Sequence, residues 1–403
     1  MKKATQQQTK EHNRNLVLKT IFEHQTISRA EIARITGLTR TTVSEIVAGL
    51  IDEGLVAETG VGESIGGKSP ILLGLLEDSR WLIGLDLAHN QFRGAMVNLR
   101  GKIRRMVTQP VGERNGDEAL DLVFEILDRL IQDATQPLVG IGVGTPGLVN
   151  TEEGVVINAV NLDWKNLPLA RLLQERYHLP VYVLNDSHAA AFGEFIYGGG
   201  HLASENLVVI NVRHGIGAGV IINGVLFHGD GGSAGEIGHV VVVPEDGLLC
   251  RCGNRGCLET VASAQALVKR MRTLASQGEL PYPPAEITLE TIEKAFHNGD
   301  ALARQEVLET ARYLGLAISG LVGVLNIQKI VLSGDMTRFG PEWLDAIKEA
   351  MLHLSLPGPV KNTLVEFGQL GEHSIVLGAS AMVANNYALL FNRQSTSERL
   401  AAS

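Results

Sequence analysis

From about residue 13 to residue 60 the apolar positions recur at three- and four-residue intervals, whereas from about residue 80 short apolar runs bounded by glycine alternate with longer amphipathic stretches. The chain therefore changes structural class near residue 75. Leu16, Val17, Ile21 and Phe22 line one face of a first helix, preceded by a polar tail, 1–12, that reads as disordered. Ser28, followed three residues on by Glu31, is a capping box that starts a second helix, RAEIARIT, which Gly37 ends. A third begins after Thr39 and buries Val43, Ile46, Val47 and Leu50, leaving Thr41, Ser44, Glu45 and Ala48 outside and Arg40 at its N-terminal edge. The next segment, 55–75, reads as two short strands around a glycine-rich loop that carries Lys68. Together these make a winged helix-turn-helix. Its third helix would offer Arg40, Thr41, Thr42 and Ser44 to the bases and phosphates of operator DNA, with Lys68 reaching from the wing. The alternative is a plain three-helix docking module, and Glu45, Asp52 and Glu53 weaken the electrostatic case for DNA.

Beyond residue 80 the pattern predicts strands within 81–102 (two, with Asp86 in the turn between them), 138–149, 180–186, 206–212, 219–224 and 329–335. Helices are predicted near 117–133, 187–197, 261–275, 300–325 and 341–354. This order is α/β and fits two lobes with a cleft between them. Each lobe begins strand, glycine turn, strand, which suggests duplication. The segment 300–325 is apolar enough for a core helix, and its length is expected to fall short of a membrane span.

Charge sharpens the division. The 403 residues carry a net charge of −9, yet residues 1–70 hold nine Lys and Arg against eight Asp and Glu, so the deficit lies entirely in the rest. An acidic surface repels nucleic acid, and DNA contact is confined to the N-terminal part. With no apolar signal core after the polar N-terminus, a soluble cytoplasmic protein that does not engage membranes is expected. The three cysteines all lie within one eight-residue stretch, an odd and clustered set that argues against disulfides and for a metal.

That stretch carries the strongest chemistry. His239, Cys250, Cys252 and Cys257 supply one imidazole and three thiolates, the ligand set of a closed tetrahedral zinc site, so a structural Zn2+ is expected. The alternative is three buried free thiols beside an unrelated histidine. Glu236 and Glu259 flank the set, so a metal would fix two carboxylates and an imidazole in one place. Upstream, Asn185 and Asp186 end a strand and start a helix, where α/β proteins commonly place ligand groups. An amide, carboxylates and an imidazole suit adjacent sugar hydroxyls.

These residues, with GTPGLV at 144–149, LND at 184–186, GAGVIINGVLFHGDGGSAGEIGH at 217–239 and CRCGNRGCLE at 250–259, resemble the ROK family of repressors, open reading frames and sugar kinases. The N-terminal module makes the chain similar to the repressor branch, typified by regulators responsive to xylose, N-acetylglucosamine and glucose. The resemblance implies an actin/hexokinase-like, ribonuclease H-like ROK domain over 76–403 after a DNA-binding domain over 1–75. Lobe one would span about 76–186 plus a C-terminal helix at about 375–392, and lobe two about 187–374 with a zinc knuckle at 239–257. It implies zinc on His239, Cys250, Cys252 and Cys257, and sugar on Asn185, Asp186, Glu236, His239 and Glu259, with Gly147 and Asn161 lining the pocket. The family's kinases use the residue matching Asp186 as general base. This chain departs from them where phosphate binds: Asp86-Leu87-Ala88-His89-Asn90 replaces Asp-x-Gly-Gly-Thr, Arg213-His214-Gly215 replaces Gly-Thr-Gly, and LSGD stands at 332–335. The expectation is a non-enzymatic, sugar-responsive repressor of carbohydrate genes, acting on operator DNA as a homodimer or tetramer with a monosaccharide effector. The alternatives are an ATP-dependent sugar kinase with an accessory DNA-binding domain, and a sensor that docks a protein.

Overall fold

The computed structural model describes residues 6–63, 69–200, 204–279 and 283–388. Its N-terminal module contains helices α1 (Gln6–Glu23), α2 (Arg29–Thr36) and α3 (Arg40–Asp52), and strands β1 (Ile27–Ser28), β2 (Val56–Val61) and β3 (Ile71–Leu75), paired in the order β1-β3-β2. α1 starts at Gln6, so the N-terminal segment expected to be disordered is helical over half its length. The capping box is closed from both sides: the Ser28 hydroxyl accepts from the Glu31 amide at 3.2 Å, and Glu31 Oε2 accepts from the Ser28 amide at 3.1 Å. Gly37, at φ 71°, ends α2, and the extended Thr39 caps α3 by accepting from the Thr42 amide. Val43, Val47 and Leu50 are buried, while Arg40, Thr41, Ser44 and Glu45 are exposed. The tip of the wing, with Lys68, lies outside the described residues.

Next come β4 (Trp81–Leu87), β5 (Gln91–Asn98), β6 (Ile103–Pro110), α4 (Gly116–Gln132) and β7 (Leu138–Thr145), followed by a small sheet of β8 (Leu148–Asn150), β9 (Val155–Ala159) and β10 (Trp164–Leu167). α5 (Leu169–Tyr177), β11 (Val181–Asn185) and α6 (Asp186–Ile196) complete this half. The other half carries β12 (Leu207–Val212), β13 (Ile216–Ile222), β14 (Val225–Phe227), β15 (Lys329–Ser333) and β16 (Leu364–Phe367). The two five-stranded sheets have the orders β11-β7-β4-β5-β6 and β16-β15-β12-β13-β14. In each, the first three strands form an antiparallel meander and the last two add in parallel on the far side of the first strand. Identical order and direction make the duplication plain.

Three expectations need correction. Asp86 lies inside β4, fully buried, and the turn is formed by the residues after it. The helix placed at 261–275 is two helices, because extended Ser263 interrupts it and caps Ala264–Ser276. Helix Ala301–Leu325 has 25 residues, enough by length and composition to cross a membrane. What accounts for its apolar character is packing: Val307, Ala311, Leu314, Ile318 and Val322 are buried in one core cluster together with Trp343 and Ile347 of helix Gly340–Leu354.

α6 lies between the two large sheets, and every residue from Ser187 to Ile196 is buried. Helix Ser374–Ala388 packs along it and on β4 and β7. The two helix backbones touch: a Cβ at Gly193 would stand 2.3 Å from the Ser374 carbonyl oxygen, and one at Gly378 1.7 Å from that of Ala189. Gly378 and Gly193 thus admit a spacing that alanine would forbid.

Candidate functional site

A cleft of about 510 Å3 opens at the C-terminal ends of the central strands of both sheets. That is the usual ligand position in such sheets and an ordinary volume for a small-molecule site. Asn185 caps α6, accepting from the amides of Ser187 (2.9 Å) and His188 (3.3 Å), and its Nδ2 donates to the Gly147 carbonyl at 3.0 Å. The GTPG turn is thereby tied to the helix start. Gly147 has φ 87°, and a Cβ there would stand 2.1 Å from the Asn158 carbonyl oxygen. Asp186 follows in the first turn of α6, where burial pushes its carboxyl up to about 6, Arg213 opposing the rise and Asp86 adding to it.

The knuckle brings four ligand atoms, from His239, Cys250, Cys252 and Cys257, within 4.8 Å of one another. Cys252 and Cys257 Sγ are 3.6 Å apart, and Cys250 Sγ is 3.5 Å from His239 Nδ1. Two thiolates on a tetrahedral zinc lie about 3.8 Å apart, so the set fits that ion. The sharp fold around it depends on Gly256, at φ 73°, where a Cβ would fall 1.8 Å from the Val243 carbonyl oxygen. His239 divides its ring: Nδ1 faces the thiols, and Nε2 faces Glu236 Oε2 at 3.8 Å in the cleft. Burial raises the Glu236 carboxyl above its ordinary value.

Glu259 is more committed than its sequence position suggests. Its Oε2 accepts from the Ile216 amide at 3.1 Å, and its Oε1 accepts from Arg251 Nη2 at 3.2 Å. Arg251, between two of the cysteines, also donates from Nη1 to Asn161 Oδ1 at 2.5 Å. It therefore spans the cleft and occupies two residues expected to meet a sugar. Sequence reasoning missed Arg251; its place inside the C-x-C pair was the available signal.

The other end of the cleft is bridged by side chains from both lobes. Arg213, on the β12–β13 turn, reaches both carboxylate oxygens of Asp86 at 3.2 Å across the lobes. His89 and His214, also from opposite lobes, stack with centroids 4.0 Å apart. Burial lowers both imidazoles, His214 to about 4, so the pair is neutral at neutral pH. Asn211, at the end of β12, is also on the cleft wall, buried and with its Oδ1 lacking a partner among the described residues; sequence reasoning passed over it. Of the proposed DNA-facing residues, Arg40, Thr41 and Ser44 are exposed on α3 and Thr42 is half-buried. There Arg40 has no ion-pair partner among the described residues, and the hydroxyls of Thr42 and Ser44 meet Thr39 Oγ1 (2.9 Å) and the Arg40 carbonyl (2.9 Å).

Comparison with known proteins agrees with this architecture. The winged helix-turn-helix DNA-binding profile matches residues 11–57. The xylose repressor of Caldicellulosiruptor bescii is 35% identical over 387 residues, covering 94% of this chain and 96% of that protein. The crystal structure of a ROK family transcriptional regulator, a homologue of the E. coli MLC protein, superposes with a TM-score of 0.82 at 30% identity, over 95% of this chain and 98% of that one. A ROK family glucokinase from Streptomyces griseus, in complex with glucose and AMPPNP, superposes with a TM-score of 0.68 at 28% identity, over 75% of this chain and 98% of its own. The ROK family profile itself matches residues 82–386, and the chain belongs to that family.

Proposed function

We propose that the protein is a sugar-responsive transcriptional repressor. In this reading the module ending near residue 75 binds an operator, and a monosaccharide in the cleft shifts operator affinity. Asn185, Asp186, Glu236 and His239 would meet the sugar hydroxyls, joined by Asn161 and Glu259, with Gly147 shaping the wall. Zinc on His239, Cys250, Cys252 and Cys257 would hold His239 so that its Nε2 points into the cleft. The observation that supports the reading is the cross-lobe Arg213–Asp86 pair, which stands where the family's kinases would bind phosphate, while Asn185, Asp186, Glu236 and His239 line the cleft. The chain would then sense sugar without phosphorylating it. Two copies on a two-fold operator would supply the affinity that one small module lacks.

The test is a purified-protein binding experiment with duplex DNA from the chain's own promoter region, titrated with D-xylose, D-glucose and N-acetylglucosamine, beside a coupled ADP-release assay. Sugar-dependent DNA release or capture without ADP production is expected. Turnover that disappears in Asp186→Asn would establish the kinase alternative.

Two further outcomes follow from the geometry. Arg251→Ala frees Asn161 and Glu259, so calorimetric sugar affinity is expected to rise about 3- to 10-fold, the worth of one exposed charge-assisted contact at about 1 kcal/mol. Weaker binding would instead make Arg251 a sugar ligand. Protonated Asp186 loses acceptor capacity, so sugar affinity is expected to fall as the pH drops from 7.5 through about 6 to 5. Asp186→Asn should bind weakly and without that slope; a slope unchanged in the variant would assign it to another group.

A further inference from the structure

We infer that Arg100 and Tyr197 are positioning residues through which the DNA-binding module reads occupancy of the cleft. This rests on the reading above and concerns how its two halves communicate. α6 has one end in each place. Asn185 and Asp186 start it in the cleft, and Tyr197 caps its far end, about 16 Å away for eleven residues of helix.

The Tyr197 ring lies on the β5–β6 turn. At Gly101, with φ 81°, a Cβ would stand 2.6 to 2.9 Å from Cδ1, Cγ and Cε1 of that ring. The turn is tightly built: the fully buried Asn98 accepts through Oδ1 from the amides of Arg100 (3.0 Å) and Lys102 (2.9 Å). Arg100, the residue before Gly101, grips the DNA-binding module. Arg100 donates from Nη1 to the Phe22 carbonyl at 3.0 Å and from Nη2 to the His24 carbonyl at 3.1 Å, with its guanidinium carbon 5.2 Å from the centroid of the Phe22 ring. These carbonyls belong to the last turn of α1 and the residue just beyond it, where a cation is also favoured by the helix dipole. α1 packs on both α2 and α3, so its end moves the recognition helix with it.

α6 is stiff enough for the task. It is buried along its length, and Gly219 and Gly378 bring neighbouring backbone within van der Waals limits of Ala191 and Ala189. Close-packed elements shift as units. A sugar that draws in Asp186 would therefore tilt the whole helix, displacing Tyr197, the turn beneath it and the carbonyls that Arg100 holds.

The experiment measures operator affinity with and without saturating sugar, using a duplex selected from random DNA on the wild-type protein and D-xylose, D-glucose or N-acetylglucosamine as effector. The ratio of the two affinities is the coupling, and about 5- to 150-fold is usual for linked sites. In Arg100→Gln and in Tyr197→Leu the ratio is expected to fall below about 3-fold, while sugar affinity off DNA and operator affinity without sugar stay within about 3-fold of wild type. Arg100→Lys, which keeps the charge and can reach one carbonyl, should restore part of the ratio. Undiminished coupling in both variants would overturn the inference. So would loss of sugar-free operator binding or of folding in both, because the residues would then be structural supports. If wild-type protein responds to none of the three sugars, it is the underlying reading that fails, and that result appears without any variant.

Discussion

Cys257→Ser is expected to empty the metal centre and remove most sugar affinity, with a loss of roughly 10- to 100-fold, the scale seen when groups that orient a metal site are lost. Cys257 is the most deeply buried of the four candidate metal ligands. It is fully buried, it pairs with Val241 in an isolated bridge, and it leads directly into Leu258 and Glu259. Burial pushes its thiol up to about 12, so without a metal it is a neutral group, and binding a metal must expel its proton. Losing the ion would leave three sulfurs and an imidazole with nothing at their centre, and the Nε2 of His239 would lose its fixed direction beside Glu236. Because metal binding at a closed site contributes directly to folding, thermal stability should drop too. Elemental analysis, a thermal melt and sugar calorimetry on the variant, with chelated wild-type protein as the comparison, check all three quantities. Full sugar affinity in metal-free protein would separate the staple from the site.

Local signals explain what could be read from the sequence. Ser28 with Glu31, Gly37 and Thr39 act within a few residues of themselves, and they delimit the first three helices closely. The cluster of His239, Cys250, Cys252 and Cys257 was equally legible, since its members lie within nineteen residues. Longer-range facts were not. β6 and β16 went unpredicted: β6 is an edge strand whose polar residues, Arg104 and Arg105 among them, blur the alternation, and β16 is four residues long. Helix α5 and helix Leu289–His297 sit in stretches whose polar faces outweigh their buried residues. At the site, Asp86 read as a turn residue because nothing local announces that Arg213, 127 residues away, stabilises its burial. Arg251 and Asn211 were missed for the same reason. Their roles come from which lobe they face across the cleft, and only tertiary structure supplies that.

The altered loops gain meaning from this geometry as well. Glycines in a phosphate loop leave room for a ligand's oxygens and metal, whereas here an arginine and two imidazoles join the lobes directly. The half-buried Arg213 guanidinium balances the charge that the fully buried Asp86 would otherwise carry alone. The lobes are thus joined through these side chains.

Arg40→Ala is expected to cause the largest loss of DNA binding, with the sugar site untouched. Arg40 is exposed at the first position of α3, beyond the cap made by Thr39, and its guanidinium is free of ion pairs among the described residues. Arg14 and Arg29, by contrast, are held by Glu53 and Glu58 at 2.5 and 3.1 Å, so their charge is partly spoken for. A helix entering the major groove presents its N-terminal residues to base edges, and removing one bidentate arginine costs about 1–3 kcal/mol. On a two-fold operator the substitution acts in both half-sites, so about 2–6 kcal/mol is at stake. Fluorescence anisotropy with the selected duplex and a scrambled one separates two cases. A loss confined to the selected sequence makes Arg40 a base reader. An equal loss on both, with the salt slope reduced by about one per copy, makes it a phosphate contact. Ser44→Ala, one turn further along the same face, should weaken only the selected duplex and by less, since its hydroxyl is already bonded to the Arg40 carbonyl. Unchanged DNA affinity in both variants, with the fold intact, would move the role of this module from operator recognition to protein docking.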